Sequence, residues 1–212
     1  MSRKTRTFIA VKVPEPGVAA LRKLRERISP DLPGLRWVEP EQLHLTLAFL
    51  GDVDQADLVP LCQSIAQGLA GYRRFGLQLQ GLGAFPTPGR PRVLWAGLVG
   101  DDLEALHEVQ KAVVSAAREA GYPPADDRFH PHITLGRFKF GPGQSRRASP
   151  MAAAQTPAGD LSALLQRQRH WSGGAFPIGE VVTFASTLSP QGPIHAPLAT
   201  VTLASAKRKG PT

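Results

Sequence analysis

Two short segments of the chain repeat the same pattern of chemically active residues, His-Leu-Thr-Leu at 44–47 and His-Ile-Thr-Leu at 132–135. Alternate residues of an extended strand point to opposite faces, so each segment places its histidine and threonine on one face and its aliphatic residues on the other. Two such strands side by side would present two imidazoles and two hydroxyls to one cleft. Imidazoles transfer protons near neutral pH and hydroxyls donate hydrogen bonds to oxyanions. The repeat therefore favours acid–base chemistry on an anion such as a phosphodiester.

Other kinds of catalysis lack part of their usual residue set. A metal centre needs a third ligand, and no His-x-x-x-His pair accompanies either motif, although His130 and His132 flank a proline and leave a metal pair open. The single cysteine, Cys62, lies in an apolar helical pattern, and the chain has no Gly-x-Ser-x-Gly motif or Gly-rich phosphate loop. For one isolated motif, a structural sheet histidine is the better interpretation, but the matched pair favours acid–base catalysis at phosphorus with no metal or other cofactor.

The composition is that of an ordinary globular protein with an excess of basic residues. Of 212 residues, 42% are apolar and 20% are charged, which argues against a disordered chain, and the longest apolar runs are only long enough for strands. The net charge of +8 predicts attraction to polyanions such as RNA, although Arg146, Arg147 and the basic segment 207–209 contribute part of it as solvated charge. We expect a cytoplasmic monomer without membrane contact or an obligate protein partner.

Hydrophobic periodicity alternates along the chain between the two-residue repeat of strands and the 3.6-residue repeat of helices. Asp101 opens the clearest amphipathic helix and Gly121 ends it. The cluster of Gly and Pro at 83–91 predicts a loop. The predicted strands are 7–13, 42–50, 75–82, 92–98, a second motif strand after 129–131, 180–187 and 198–203, and the predicted helices are 18–28, 55–69, 101–120 and 161–168.

These elements form two similar halves, each with one motif strand, and predict an α+β fold. Antiparallel pairing is expected because hairpin-like loops alternate with helices instead of repeating βαβ units. We expect one bilobal domain over residues 6–204. Residues 142–159 are rich in Gly, Pro, Ala and Ser and predict a flexible excursion, and residues 205–212 predict a disordered basic tail.

Five stretches carry a resemblance to a known family and together span most of residues 6–203. They are the runs 6–11, 37–51, 85–86, 92–97 and 129–137, which read RTFIAV, WVEPEQLHLTLAFLG, FP, RVLWAG and FHPHITLGR. In these stretches the chain resembles the two-histidine (2H) phosphoesterase superfamily, and more narrowly the bacterial and archaeal RNA 2′,3′-cyclic phosphodiesterases, also called 2′,5′ RNA ligases. The resemblance implies two lobes of antiparallel sheet related by a pseudo-twofold axis, with helices outside and a central V-shaped groove between the motif strands.

The resemblance also implies roles for the motif residues. His44 would be the general acid that protonates the leaving 3′ oxygen, and His132 the general base that activates water, so that a 2′,3′-cyclic phosphate on an RNA end or a nucleotide becomes a 2′-phosphate. Thr46, Thr134 and Arg137 would bind the phosphate. One imidazole must be protonated and the other neutral, which predicts a bell-shaped pH dependence. In reverse, the same groups would join a 5′-hydroxyl to a cyclic phosphate without ATP.

Four residues outside the two motifs are further candidates for the site. Arg137 follows His132 by five positions, so on a regular strand it would point away from the histidine, and the strand must bend or end near Gly136 for it to reach the phosphate. Phe129 and His130 would support or rim the site, or they would serve only in core packing and in a turn. His195 is another possible rim residue, and it stands where relatives usually carry an aromatic tyrosine, which leaves open whether a base or sugar stacks there.

Two other functions fit the same motifs. The substrate could be a small cyclic nucleotide such as ADP-ribose 1″,2″-cyclic phosphate, which a comparison of mononucleotide and oligomer substrates would distinguish. The chain could also be a module that binds RNA ends without turnover, for which tight and strongly salt-dependent binding is expected.

Overall fold

The computed structural model describes residues 3–126, 128–138, 161–189 and 192–205. The predicted excursion at 142–159 lies outside the described residues, as does the predicted basic tail after residue 205. Within the described ranges, no helix is long and apolar enough to cross a membrane.

Helices and strands alternate along the described chain, with three short 3-10 turns at Ser29–Asp31, Pro40–Gln42 and Gln55–Asp57. The elements in chain order are β1 (Lys4–Lys12), α1 (Glu15–Ile28), β2 (Leu35–Trp37), β3 (His44–Asp54), α2 (Leu58–Gly68), β4 (Phe75–Phe85), β5 (Val93–Val99), α3 (Leu103–Glu119), β6 (His132–Phe138), α4 (Ser162–Arg167), β7 (Ser172–Ile178), β8 (Glu180–Ser189) and β9 (Gly192–Thr202).

The strands form one sheet made of two matching halves. Its order is β7-β4-β5-β6-β3-β1-β8-β9, with β2 added beside β6, and the pairings between these strands are antiparallel. The motif strands β3 and β6 are the inner strands of the two halves and pair through a single residue pair, Leu45 with Ile133. The α+β fold with two related antiparallel halves, predicted from the sequence, is confirmed. Because the motif strands separate after one pair, a groove can form between them.

The buried face of each motif strand belongs to the hydrophobic core. Leu45 and Ile133, the residues between histidine and threonine, are almost completely buried. The helix α3 presents Leu106, Val109 and Val113 to this core, as its periodicity predicts. The helix α1 begins at Glu15, three residues earlier than predicted, because Pro16 suits the first turn of a helix. Burial of the aliphatic side chains thus fixes which face of each motif strand is left for the polar residues.

The outer strands depart most from the sequence prediction. The strand β7 was not predicted, because a Ser-Gly-Gly start and Pro177 are typical of loops. The strand β9 begins six residues before the predicted start, although it contains Pro193 and Pro197. Both strands lie at the two ends of the sheet order, where proline is tolerated because one side of the strand needs no partner. The strand β4 also continues to Phe85, into the predicted loop at 83–91.

Candidate active site

The histidines and threonines of the two motifs line one groove of about 590 Å³. His44 and Thr46 are half-buried and alternate with the buried Leu45 and Leu47 in β3, and β6 has the same alternation. A cleft of this volume is in the usual range for small-ligand sites, about 300–1,000 Å³. As predicted from the sequence, two imidazoles and two hydroxyls lie in one cleft.

The rest of the groove wall combines cations, one carboxylate, uncharged polar groups and apolar surface. Of the site residues predicted from the sequence, Arg137 and His195 also line it. The other lining residues were not predicted as site residues, and they are Arg36, Trp37, Val38, Glu39, Gln42, Phe49, Phe138, Ser189, Pro193 and Ile194. Among the described residues, no three His, Cys, Asp or Glu side chains come together as a candidate metal site.

A β-bulge in each motif strand turns a later residue onto the groove face. In the pairing of β1 with β3, Ile9 faces Ala48 and Ala10 faces Thr46, so Leu47 is the extra residue. An extra residue reverses the alternation of faces beyond it. Phe49, five residues after His44, therefore lines the groove with the histidine instead of pointing away from it.

The bulge in β6 has the same position relative to its histidine. Leu94 faces Gly136 and Trp95 faces Thr134, which leaves Leu135 as the extra residue. Beyond this bulge Arg137 lies on the groove face. The strand irregularity near Gly136 that the sequence analysis requires is therefore present. Phe49 and Arg137 occupy equivalent places in the two halves.

Gly136 permits a close approach between β6 and β2. A Cβ atom at this position would lie 2.8 Å from Cγ of Leu35 and 2.9 Å from the backbone oxygen of Arg36. Atoms of a real side chain do not approach a backbone oxygen so closely without moving it, so glycine is required for this packing.

The two catalytic candidates are held by the same local hydrogen bond. Nδ1 of His44 lies 2.6 Å from the backbone oxygen of Gln42, and Nδ1 of His132 lies 2.7 Å from that of His130. A carbonyl oxygen only accepts hydrogen bonds, so Nδ1 must carry the proton in both rings. Nε2 is then the nitrogen that gains or loses a proton, which leaves a lone pair there in the neutral ring and an N–H donor in the charged ring.

Burial lowers the pKa of both imidazoles. It lowers the pKa of His44 to about 4, opposed in part by the bond to Gln42 and reinforced by repulsion from Arg137 and from His195 and His132 whenever those two rings are protonated. Burial also lowers the pKa of His132, opposed by its own carbonyl bond and reinforced by His130 and Arg137. Desolvation disfavours the charged form of a histidine, and nearby cations act in the same direction. Both rings of the free protein therefore favour the neutral form at neutral pH.

Each motif histidine packs against aromatic rings of its own half of the sheet. His44 contacts a cluster of aromatic rings, with ring centroids 5.1 Å from Phe8 and 5.4 Å from His195. His132 lies 5.1 Å from Phe85 and 6.1 Å from Trp95. Aromatic neighbours restrict the orientation of each imidazole in addition to the carbonyl bond.

The two remaining rim candidates contact the site from outside the groove lining. Phe129 and His130 are not among the groove-lining residues that the structure describes. Phe129 packs against His107 and the hydrophobic core, with ring centroids 5.5 Å apart. His130 contacts the site through its carbonyl bond to His132 and through Trp95, whose ring centroid is 5.0 Å away. These contacts are those of residues that support β6, and a place at the substrate rim stays a prediction.

A family model described as LigT-like phosphoesterase matches residues 11–95 and 99–195, a span that includes both motifs. This chain belongs to the LigT-like phosphoesterase family. The superfamily and the enzyme class predicted from the sequence are therefore confirmed.

Relatives of this LigT-like phosphoesterase have similar lengths. The RNA 2′,3′-cyclic phosphodiesterase of Aeropyrum pernix is 35% identical over 193 residues, which cover 90% of this chain and 99% of the relative. The protein of the same name from Methanothermobacter thermautotrophicus is 29% identical over 192 residues, covering 91% and 95%.

Solved structures of the family have the same fold. TT0787 of Thermus thermophilus superimposes with a TM-score of 0.72 at 28% identity and covers 94% of this chain and 98% of its own. Escherichia coli LigT complexed with 3′-AMP superimposes with a TM-score of 0.69 at 22% identity, covering 95% and 99%.

Proposed function

We propose that this LigT-like phosphoesterase hydrolyses RNA 2′,3′-cyclic phosphate ends to 2′-phosphates by metal-independent acid–base catalysis. The observation that carries the proposal is the pair of imidazoles in one groove, each with Nδ1 bound to a carbonyl and Nε2 left for proton transfer. Full-length relatives named RNA 2′,3′-cyclic phosphodiesterase support this choice of substrate.

His132 takes the role of general base. With its proton held on Nδ1 by the His130 carbonyl, the neutral ring offers the Nε2 lone pair to a water molecule. The lowered pKa of His132 favours this neutral form at neutral pH. As Nε2 accepts the proton, the water oxygen attacks phosphorus, and its new bond to phosphorus forms as the bond to the 3′ oxygen breaks.

His44 takes the role of general acid and donates its Nε2 proton to the leaving 3′ oxygen. In the free protein its pKa of about 4 favours the neutral ring, so the acid form depends on the substrate. The negative charge of a bound phosphodiester favours the charged imidazole and raises this pKa. Binding of the anion and protonation of the acid are therefore coupled, and an uncharged ligand would not prepare His44 in the same way.

The phosphate lies between groups from both motif strands. Thr46 and Thr134 donate hydroxyl hydrogen bonds to the non-bridging oxygens, and Arg137 supplies a cation that is charged at all relevant pH values. Hydrogen bonds from such donors strengthen as charge grows on the oxygens in the transition state. These three residues line the groove beside the two imidazoles, so one phosphate group can contact the whole set.

Apolar surface in the same groove fits the nucleoside part of the substrate. Phe49 and Ile194 line the groove and are about half exposed, so their apolar surface is accessible to a base or a ribose. Stacking of a base on an aromatic ring is tolerant of sequence and typical of single-stranded RNA recognition. The basic surface, with a net charge of +8, adds attraction for the rest of an RNA strand.

The same groups would catalyse ligation with a 5′-hydroxyl as the nucleophile. The 5′-hydroxyl would take the place of water, His132 would accept its proton, and His44 would protonate the 3′ oxygen that leaves phosphorus. The roles of the two imidazoles stay as in hydrolysis, and no ATP is required because one phosphodiester bond forms as another breaks. Hydrolysis is favoured in dilute RNA because water is present in large excess.

The test uses the full chain, EDTA and an oligonucleotide that ends in a 2′,3′-cyclic phosphate. The expected product is the 2′-phosphate, formed more efficiently from the oligonucleotide than from a cyclic mononucleotide. Unchanged oligonucleotide would contradict the proposal, and turnover confined to small cyclic nucleotides would replace its substrate class. Tight binding without turnover would assign a binding module instead.

A further inference from the structure

A third imidazole, His195, stands at right angles to His44 in the groove. Their ring centroids are 5.4 Å apart with an interplanar angle of 88°. The ring of His195 packs against those of Phe8 and Phe184, whose centroids lie 4.8 Å and 6.4 Å away. It belongs to β9, whose early start brings this residue to the groove. The roles described so far for proton transfer and phosphate binding do not use it.

The two nitrogens of His195 have different surroundings. Nδ1 is buried and has no hydrogen-bond partner in the described part of the chain. An unpaired nitrogen at this buried position costs about 1–3 kcal/mol whether it carries a proton or a lone pair. Buried N–H groups without an acceptor are rarer in proteins than acceptors without a donor, so the proton of the neutral ring belongs on Nε2. This tautomer is the opposite of that of His44 and His132, whose Nδ1 protons are fixed by carbonyl oxygens.

The charged form of His195 is also disfavoured. An imidazolium carries protons on both nitrogens, so it would again place a donor at the buried Nδ1. Burial lowers the pKa of His195 in agreement with this geometry. The groove thus contains two imidazoles whose Nε2 gains or loses a proton in the proposed reaction. The Nε2 of the third imidazole, His195, keeps its proton.

We propose that His195 is a substrate-binding residue that donates its Nε2–H, as a neutral ring, to a phosphate or ribose oxygen adjacent to the one protonated by His44. The proposal rests on the proposed function for the identity of the substrate, but not for the tautomer. Its neutral donor adds a directed hydrogen bond without adding another charge beside His44. An aromatic ring without a hydrogen-bond donor would occupy the same position against Phe8, but it would not bind this oxygen.

The tautomer is tested without any substrate. Long-range 1H–15N correlation spectra of the 15N-labelled full chain at pH 7.5 report which ring nitrogen carries the proton. The expected result is an Nε2–H tautomer for His195 and Nδ1–H tautomers for His44 and His132. An Nδ1–H tautomer or a charged ring at His195 would overturn the proposal, even if the protein hydrolyses cyclic phosphates as proposed.

The contact with substrate is tested by kinetics of two variants with the cyclic-phosphate oligonucleotide. His195→Phe keeps the ring but removes the donor, and a hydrogen bond to a charged group lost in this way predicts about a 10-fold rise in KM with a much smaller change in kcat. His195→Gln carries an amide N–H near the position of Nε2 and is expected to restore most of the lost affinity.

Two results of these kinetics would overturn the contact. One is an unchanged KM in His195→Phe, and the other is an equal loss in both variants accompanied by a fall in melting temperature, which would indicate a packing role. If the wild-type protein itself does not turn over the substrate, the proposed function fails, and the spectra still decide the tautomer.

Discussion

In the β3 half of the sheet the bulge is followed by Phe49, whereas in the β6 half the equivalent bulge is followed by Arg137. The backbone places both residues on the groove face, but one is apolar and the other cationic. Under the proposed function, Arg137 would bind the anionic phosphate and Phe49 the flat nucleobase, which favours one orientation of the substrate. A duplicated scaffold can in this way give its two histidines different roles, because residues that differ between the halves orient the ligand.

The two halves also differ in what packs behind the bulge. Gly136 in β6 has no room for a Cβ atom beside β2, which pairs with β6. The equivalent residue in β3 is Ala48, whose side chain is buried. The short strand β2 thus packs closely against the β6 bulge at Gly136.

The largest expected effect is the loss of either motif histidine. His44→Ala and His132→Ala should each reduce kcat by about 100-fold or more, since general acid and general base catalysis contribute about 10²–10⁴-fold. Binding of a 2′-phosphate product, measured by calorimetry, should change much less. A reduction below about 10-fold in both variants would contradict the division of roles.

The pH dependence of stability should report the burial of His44. The folded pKa of His44, about 4, lies below its unfolded value of about 6.5, so its contribution to stability is complete above pH 6.5 and is lost as the pH falls toward 4. Relative to His44→Gln, which does not titrate, the wild-type protein should lose about 2–3 kcal/mol of unfolding free energy between pH 7.5 and 4.5.

Urea unfolding at the two pH values measures this difference, and His132→Gln is the matched variant in the other half. An equal pH dependence in the wild-type protein and His44→Gln would show that His44 is not desolvated as the structure indicates.

A methyl group added behind the bulges should affect the halves unequally. Gly136→Ala forces atoms against Leu35 and the Arg36 backbone, and overpacking of this kind predicts a loss of about 1–3 kcal/mol in unfolding free energy. The matched change, Ala48→Gly, removes a methyl group and should cost about 0.5–1 kcal/mol. Denaturant unfolding measures both, and a neutral Gly136→Ala would contradict the role assigned to β2.

Exchange of the residues beyond the bulges should separate phosphate binding from nucleoside binding. Arg137→Met removes a charged hydrogen-bond donor and should lower kcat/KM by about 10-fold or more. The cation lowers the pKa of both motif histidines, so its removal should also move the pH profile toward alkaline pH. Arg137→Lys keeps the charge and should keep the profile.

The variant Phe49→Ala should raise KM by about 5-fold with little change in kcat or in the pH profile, since stacking contributes about 1 kcal/mol or slightly more. A shift of the pH profile in Phe49→Ala as large as that in Arg137→Met would contradict the assignment of charge and stacking to opposite walls.

The sequence predicted the parts of the site that depend on strand alternation. The His-x-Thr pattern places its polar residues correctly because the aliphatic residues between them have to be buried. Arg137 was predicted on condition of a bend near Gly136, but nothing in the residues of β3 indicated the matching bulge that brings Phe49 to the groove. Bulges depend on pairing between distant strands, which a local pattern does not contain.

The outer strands and the tautomers of the histidines could not be predicted from local sequence patterns. Pro193 and Pro197 argue against a strand, and only the position of β9 at the end of the sheet makes them acceptable. The tautomer of His195 depends on burial of one ring atom beside Phe8 and Phe184, which come from other strands. Such properties follow from tertiary packing and not from residue type.

The central claim, that one histidine from each half acts at opposite sides of a single phosphorus, is tested most directly by a crystal structure with a bound nucleoside 2′-phosphate. We expect Nε2 of His44 within about 2.6–3.2 Å of the 3′ oxygen, and Nε2 of His132 on the opposite side of the phosphorus, next to the phosphate oxygen derived from water. A complex in which both imidazoles contact the same oxygen, or in which one of them does not contact the phosphate group, would contradict the account.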